Sequence, residues 1–208
     1  MAPGTERPEL VPATPENVRR AAECLKRGDL VVVPTETVYG VAARADSPAA
    51  MAKLRAAKGR DESKRIALFA ESIETVRAAG ARVDAVAERL AAAFWPGPLT
   101  MVLPNAAGDG DGYRCPDHPV AQAWLRELGG IVPAVTSANR SGSPAARTAP
   151  EAWAALAPHV ALALDAGPVA MGEASTVVKI AAGEIEILRP GPIDRAALER
   201  AARCPVRG

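Results

Sequence analysis

The pattern of apolar and polar positions changes period repeatedly along the chain. Val18, Ala21, Ala22 and Leu25 recur at the three-to-four spacing of a helix face. Thr14-Pro15-Glu16 precedes them as an N-cap with proline at the first helical position, and Gly28 stops the run. Leu30-Val31-Val32-Val33 is an unbroken apolar stretch, which predicts a strand buried on both faces. Pro34 ends it, and a polar loop follows to Gly40. Ser47-Pro48 opens a second helix that runs toward Lys58. Further strands are predicted at 66–70, 100–103, 113–114, 131–136 and 160–164. Further helices are predicted within 73–93, at 120–128 and at 150–156. Residues 176–180 and 184–188 read as an antiparallel pair around Gly183, and Asp194 caps a last helix.

Helices alternate with strands, yet hairpin-like pairs also occur. The prediction is therefore an α/β fold on a mixed sheet. With no repeat and no linker-like stretch, one domain is expected over 14–203, with loose tails at 1–13 and 204–208.

Composition adds exclusions. The 208 residues are 49% hydrophobic and 24% charged, which suits a folded domain with one sizeable core. Aromatics are only 3%, so that core must rest on aliphatic residues and alanine. Lys and Arg number 25 against 24 Asp and Glu, a balance that gives no support for wholesale nucleic-acid or membrane binding. No apolar run approaches the ~20 residues of a membrane span. Residues 1–9 lack the features of a signal or transit peptide. Cys24, Cys115 and Cys204 fit neither a zinc spacing nor a disulfide framework, so a cytoplasmic location is expected.

Walker A, GxGxxG, HExxH and GxSxG patterns are missing, and His118 and His159 are the only histidines. The informative segments are loops beside strands. Pro34-Thr35-Glu36-Thr37-Val38-Tyr39-Gly40 gathers two hydroxyls, a carboxylate and a phenol, which can grip a polar ligand or simply bond their own turn. Residues 51–65 hold six basic and two acidic side chains, a local charge of +4. Lys58, Arg60 and Lys64 there suit either a phosphate clamp or a solvated helix end. Thr136-Ser137-Ala138-Asn139-Arg140-Ser141-Gly142 can present backbone N–H groups to an anion or form an ordinary turn. Arg189 stands on a stiff Pro-Gly-Pro segment, facing an anion or a surface carboxylate.

Taken in order, seven segments carry a resemblance. They are Pro34-Thr-Glu-Thr-Val-Tyr-Gly40, Lys58-Gly-Arg60, Phe94-Trp-Pro-Gly-Pro-Leu-Thr100, Arg114-Cys-Pro-Asp-His118, Ser137-Ala-Asn-Arg-Ser-Gly142, Ser175-Thr-Val-Val178 and Leu188-Arg-Pro-Gly191. Together the chain resembles the Sua5/YciO/YrdC/YwlC family over roughly residues 15 to 195. The resemblance implies a single twisted mixed-sheet domain of the YrdC type with a large concave substrate groove. It implies a threonylcarbamoyl-AMP synthase, which joins L-threonine, bicarbonate and ATP and releases pyrophosphate. A separate transferase complex then carries the threonylcarbamoyl group to tRNA, beside the anticodon.

By that resemblance, Lys58, Arg60, Ser137 and Asn139 form the catalytic set around the ATP phosphates, with Lys64 and Arg189 as further ATP ligands. Thr35, Thr37, Tyr39, Arg114 and Ser175 fall on the threonine side. Mg2+ is expected through the ATP phosphates, with no protein side chain as metal ligand. The chain departs from the common pattern at Arg65, Phe69, Ala145 and Lys179, where many members carry proline, histidine, serine and aspartate. Those departures leave room for a paralogue that binds RNA or nucleotide without catalysis, or for a different acceptor amine.

Overall fold

The computed structural model describes residues 8–59 and 66–208. Its strands are β1 (Glu9–Pro12), β2 (Val31–Val33), β3 (Gly40–Arg44), β4 (Ala67–Phe69), β5 (Leu99–Pro104), β6 (Gly110–Arg114), β7 (Pro133–Ser137), β8 (Leu162–Asp165), β9 (Thr176–Ala181), β10 (Glu184–Arg189) and β11 (Val206–Arg207). Its helices are α1 (Pro15–Lys26), α2 (Pro48–Lys58), α3 (Ile73–Ala78), α4 (Ala85–Phe94), α5 (Pro119–Glu127), α6 (Ala149–Leu156) and α7 (Arg195–Ala202). All eleven strands join one sheet in the order β1-β8-β2-β3-β7-β4-β6-β5-β9-β10-β11. Parallel pairs (β1–β8, β2–β8, β4–β6, β5–β9, β10–β11) are interspersed with antiparallel ones, so the sheet is mixed, as expected.

The helix starts follow from local chemistry. The Thr14, Ser47, Asp84 and Asp194 side chains each accept a backbone N–H in the first turn of the helix that follows. Three strands differ from expectation. Residues 9–12, read as part of a tail, pair as β1 with β8. Residues 206–207, also read as tail, pair as β11 with β10. Residues 40–44, not read as a strand, form β3 between β2 and β7. In each case pairing with a distant or flanking strand supplies what weak local propensity does not.

Alternation along the strands sorts side chains to two faces. Val32, Val41, Ala43 and Ala163 face α2 and α6. On the same face, Met101, Tyr113, Val178 and Ile180 pack against α4 and α7. Val31, Val33, Ala42, Leu162 and Leu164 turn the other way, onto α1 and α5. The 30–33 run is thus apolar throughout because helices cover both its faces.

That second face continues through the registers Gly40–Ser137, Ala67–Val135, Phe69–Arg114 and Thr100–Val177. Beyond the α1–α5 cover these residues line a cleft. The close approach of its walls needs glycine. A Cβ on Gly191 would lie 2.5 Å from the Thr176 nitrogen and 2.7 Å from the Ala174 oxygen, both backbone atoms. Gly191→Ala should therefore overpack this contact and lower stability by about 1–3 kcal/mol. That corresponds to a fall of roughly 2–12 °C in Tm, read by thermal unfolding followed by circular dichroism.

Candidate functional site

The cleft has a volume of about 250 Å3 and draws its wall from Thr35, Phe69, Thr100, Arg114, Ser137, Ala145, Ser175 and Arg189, among others. Arg114, at the end of β6, is only 5% exposed. Its Nη2 donates to Glu36 Oε1 and to Thr37 Oγ1, both at 2.7 Å, and its Nε donates to the Gly97 carbonyl at 3.3 Å. The Phe69 ring centroid lies 5.6 Å from its Cζ, within cation–π range. Arg189, at the end of β10, donates through Nε and Nη2 to the Ser175 carbonyl (3.2 and 2.7 Å) and through Nη2 to Ser175 Oγ (3.2 Å). The Ser175 hydroxyl also meets Thr100 Oγ1 at 2.8 Å. Partial burial lowers the proton affinity of Arg189, and the charge of Arg114 lowers it further. Two guanidiniums thus converge on one cleft, an arrangement that attracts anions.

Behind Ser137, α2 ends in Lys58, whose Nζ donates to the Ser137 carbonyl at 2.5 Å and to Asn139 Oδ1 at 3.0 Å. Gly59, in the left-handed region at φ 57°, closes that helix. Asn139 Nδ2 in turn holds the carbonyls of Arg140 and Ser143. A second concavity of about 590 Å3 opens there, lined by Asn139, Arg140, Ser143, Glu151 and a run of alanines. Ala145 belongs to both cavities, so the 137–139 segment stands between them.

The Sua5/YciO/YrdC family model, described as telomere recombination, matches residues 23–191. This chain belongs to that family. It is 40% identical over 182 residues to a Mycobacterium tuberculosis protein, covering 83% of each chain; that relative is named, provisionally, a threonylcarbamoyl-AMP synthase. A Bacillus subtilis threonylcarbamoyl-AMP synthase is 34% identical over 192 residues, covering 88% of this chain and 55% of its own. The crystal structure of Pyrococcus abyssi Sua5 complexed with L-threonine superposes with a TM-score of 0.87 at 29% identity, covering 95% of this chain and 61% of that one. The chain therefore spans somewhat over half the length of those last two proteins.

Of the nominated residues, Thr35, Arg114, Ser137, Ser175 and Arg189 meet at the first cleft. Lys58 and Asn139 are tied to Ser137 behind and beside it. Arg60 and Lys64 lie outside the described residues. Thr37 is fully buried, and its hydroxyl supports Arg114. Tyr39 is not brought to the cleft. Its hydroxyl donates to the Gly167 carbonyl at 2.7 Å and accepts the Ala166 N–H, and burial pushes its pKa up. Thr35 Oγ1 builds the turn, donating to the Val38 carbonyl at 2.6 Å and accepting the N–H groups of Thr37 and Val38.

The 137–142 segment differs from an open anion nest. The Ala138, Asn139 and Ser141 N–H groups donate to the carbonyls of Tyr39, Ser137 and Lys58. Two residues were not nominated from the sequence: Glu36 and Thr100. Glu36 stands inside the 34–40 motif, but nothing local marks it as the partner of Arg114. Among the described residues no group of three or more His, Cys, Asp or Glu side chains is placed to hold a metal, and no helix is long and apolar enough to cross a membrane.

His118 caps α5, its Nδ1 accepting the Val120 N–H at 3.2 Å. Burial holds its pKa below the usual imidazole value, although Glu36 and Asp117 pull the other way. The unfolded chain therefore binds more protons near pH 6 than the folded one. This contribution to stability is present above about pH 6.5 and is lost as the pH falls through the lower folded pKa. The protein should unfold at lower urea at pH 5.5 than at pH 7.5. His118→Asn, which keeps a cap acceptor, should narrow that gap.

Proposed function

We propose that this chain is a threonylcarbamoyl-AMP synthase. The observation that carries the reading is the convergence of Arg114, Ser137, Ser175 and Arg189 on one cleft in a member of this family. Curated relatives bear the synthase name, and the Pyrococcus abyssi structure holds L-threonine.

In this reading the threonine amine attacks the carbon of bicarbonate, with loss of water, or of CO2, with loss of a proton from nitrogen, to give a carbamate. A carbamate oxygen then attacks the α-phosphorus of ATP, forming threonylcarbamoyl-AMP and expelling pyrophosphate. The step needs alignment and charge stabilisation more than a protein nucleophile. Arg114 holds the threonine carboxylate through Nη1, a charge-assisted contact from the nitrogen that the fold leaves unbonded among the described residues. Thr37 acts from behind it, and Ser175 with Thr100 shapes the wall on that side.

Arg189 binds phosphate, and Lys58, Ser137 and Asn139 form the phosphate-side set together with Arg60 and Lys64. Mg2+ carried in with ATP would add charge neutralisation on this side of the cleft. In this reading the metal is held by the substrate's phosphate oxygens. The nucleoside extends toward the alanine-lined second concavity. The product passes to a tRNA threonylcarbamoyl transferase complex in the cytoplasm.

The test is pyrophosphate release from ATP and Mg2+, with mass spectrometry of the product. Release that requires both L-threonine and bicarbonate, with a threonylcarbamoyl-AMP mass, is the expected result. Release independent of either, or none from a folded sample that binds ATP, overturns the reading. Lys58→Ala should lower kcat by ~10²–10³, the loss typical of a removed charge stabiliser. An unchanged rate removes Lys58 from the mechanism.

A further inference from the structure

The two guanidiniums of the cleft are not equivalent. Glu36, 7% exposed, pairs with Arg114 at 2.7 Å. Among the described residues no carboxylate pairs with Arg189, whose bonds run to Ser175 instead. Three of the five Arg114 N–H donors are occupied, by Glu36, Thr37 and the Gly97 carbonyl. The Nη1 group is bonded to no described residue, and Arg114 is part of the cleft wall. Glu36 Oε2 is buried and has no hydrogen-bond partner among the described residues. The carboxylate is thus paired through one oxygen, while its second keeps a buried acceptor position that no described residue fills.

We propose that Glu36 is a positioning and specificity-determining residue, which neutralises Arg114 while leaving Arg189 cationic, so that the Arg114 end accepts a zwitterion and refuses a phosphate. The inference rests on the synthase reading. Both substrates present anionic oxygens to the same small cleft, and a guanidinium fork fits carboxylate and phosphate alike. Geometry at one arginine therefore does not separate them. Net charge does. An amino acid brings a carboxylate and an ammonium, with no net charge to oppose Glu36. A polyphosphate brings several negative charges, which a buried carboxylate beside the guanidinium repels strongly at low dielectric. Holding Arg114 by Nη2 and Nε also leaves Nη1, with its two N–H groups in a fixed direction, for the substrate.

The test compares the wild-type chain with Glu36→Gln and Glu36→Asp. Saturation-transfer NMR of L-threonine, without ATP, is recorded with and without added pyrophosphate. The wild-type chain should bind threonine, and pyrophosphate should not displace it. In Glu36→Gln, threonine should bind at least ~10-fold more weakly, a tenfold change being one decade in Kd, and pyrophosphate should displace it. In turnover, KM for threonine should rise by the same factor while kcat and KM for ATP stay within about twofold. Glu36→Asp, which keeps the charge, should recover most of the exclusion of pyrophosphate.

Displacement of threonine by pyrophosphate from the wild-type chain overturns the proposal without any variant. Unchanged threonine affinity in a folded Glu36→Gln sample also overturns it. A wild-type chain that binds no L-threonine refutes the synthase reading instead.

Discussion

Arg114 carries its charge almost out of water, and the elements around the cleft are arranged to make that tolerable. Its partners come from three places: Glu36 and Thr37 in the loop after β2, the Gly97 carbonyl in the turn before β5, and the Phe69 ring on β4. A buried guanidinium stripped of its carboxylate costs of order 3–5 kcal/mol. Loop, turn and strand are therefore held in one mutual position by a single group. The pair is weak evidence for net stability, since hydrophobic residues of the same volume serve as well. Its value lies in orientation, because the bonds at Nη2 and Nε fix the direction of the remaining Nη1 group.

A parallel logic runs at Ser137. Lys58 crosses from the end of α2 to hold the Ser137 carbonyl and the Asn139 amide, and Asn139 closes its own loop. The Pro34–Gly40 loop is pinned from outside as well, with its carbonyls at Glu36 and Thr37 accepting the N–H groups of Met171 and Gly172. The Arg189 turn packs its glycine against the backbone at Thr176, so Ser175 and Arg189 stay together. The side chains of the cleft thus sit on a preorganised frame, which suits the charge-stabilising catalysis proposed for it.

Much of this frame was legible in the sequence. Caps at Thr14, Ser47 and Asp194 act within a few residues, so the starts of α1, α2 and α7 could be read directly. The Val31–Val33 run was recognisable because burial on two faces leaves no polar alternation. Strand β3 was not, because Gly40-Val41-Ala42-Ala43 has little strand propensity and owes its form to β2 and β7 on either side. Strands β1 and β11 are short edge strands whose pairing partners supply the order.

The site divides in the same way. The sequence by itself determined the family and several of the segments that line the cleft, since the order of the seven motifs and the residue types within them survive without coordinates. The direction of each side chain inside those motifs was decided only in three dimensions. In Thr35-Glu36-Thr37-Val38-Tyr39, Tyr39 turns to Gly167, 128 residues away, while Glu36 and Thr37 turn to Arg114, 78 and 77 residues away. A hydroxyl, a carboxylate and a phenol close together in sequence look equally available to a ligand. Whether each is spent on the fold or left for the cleft depends on partners that only the tertiary structure brings within hydrogen-bonding distance.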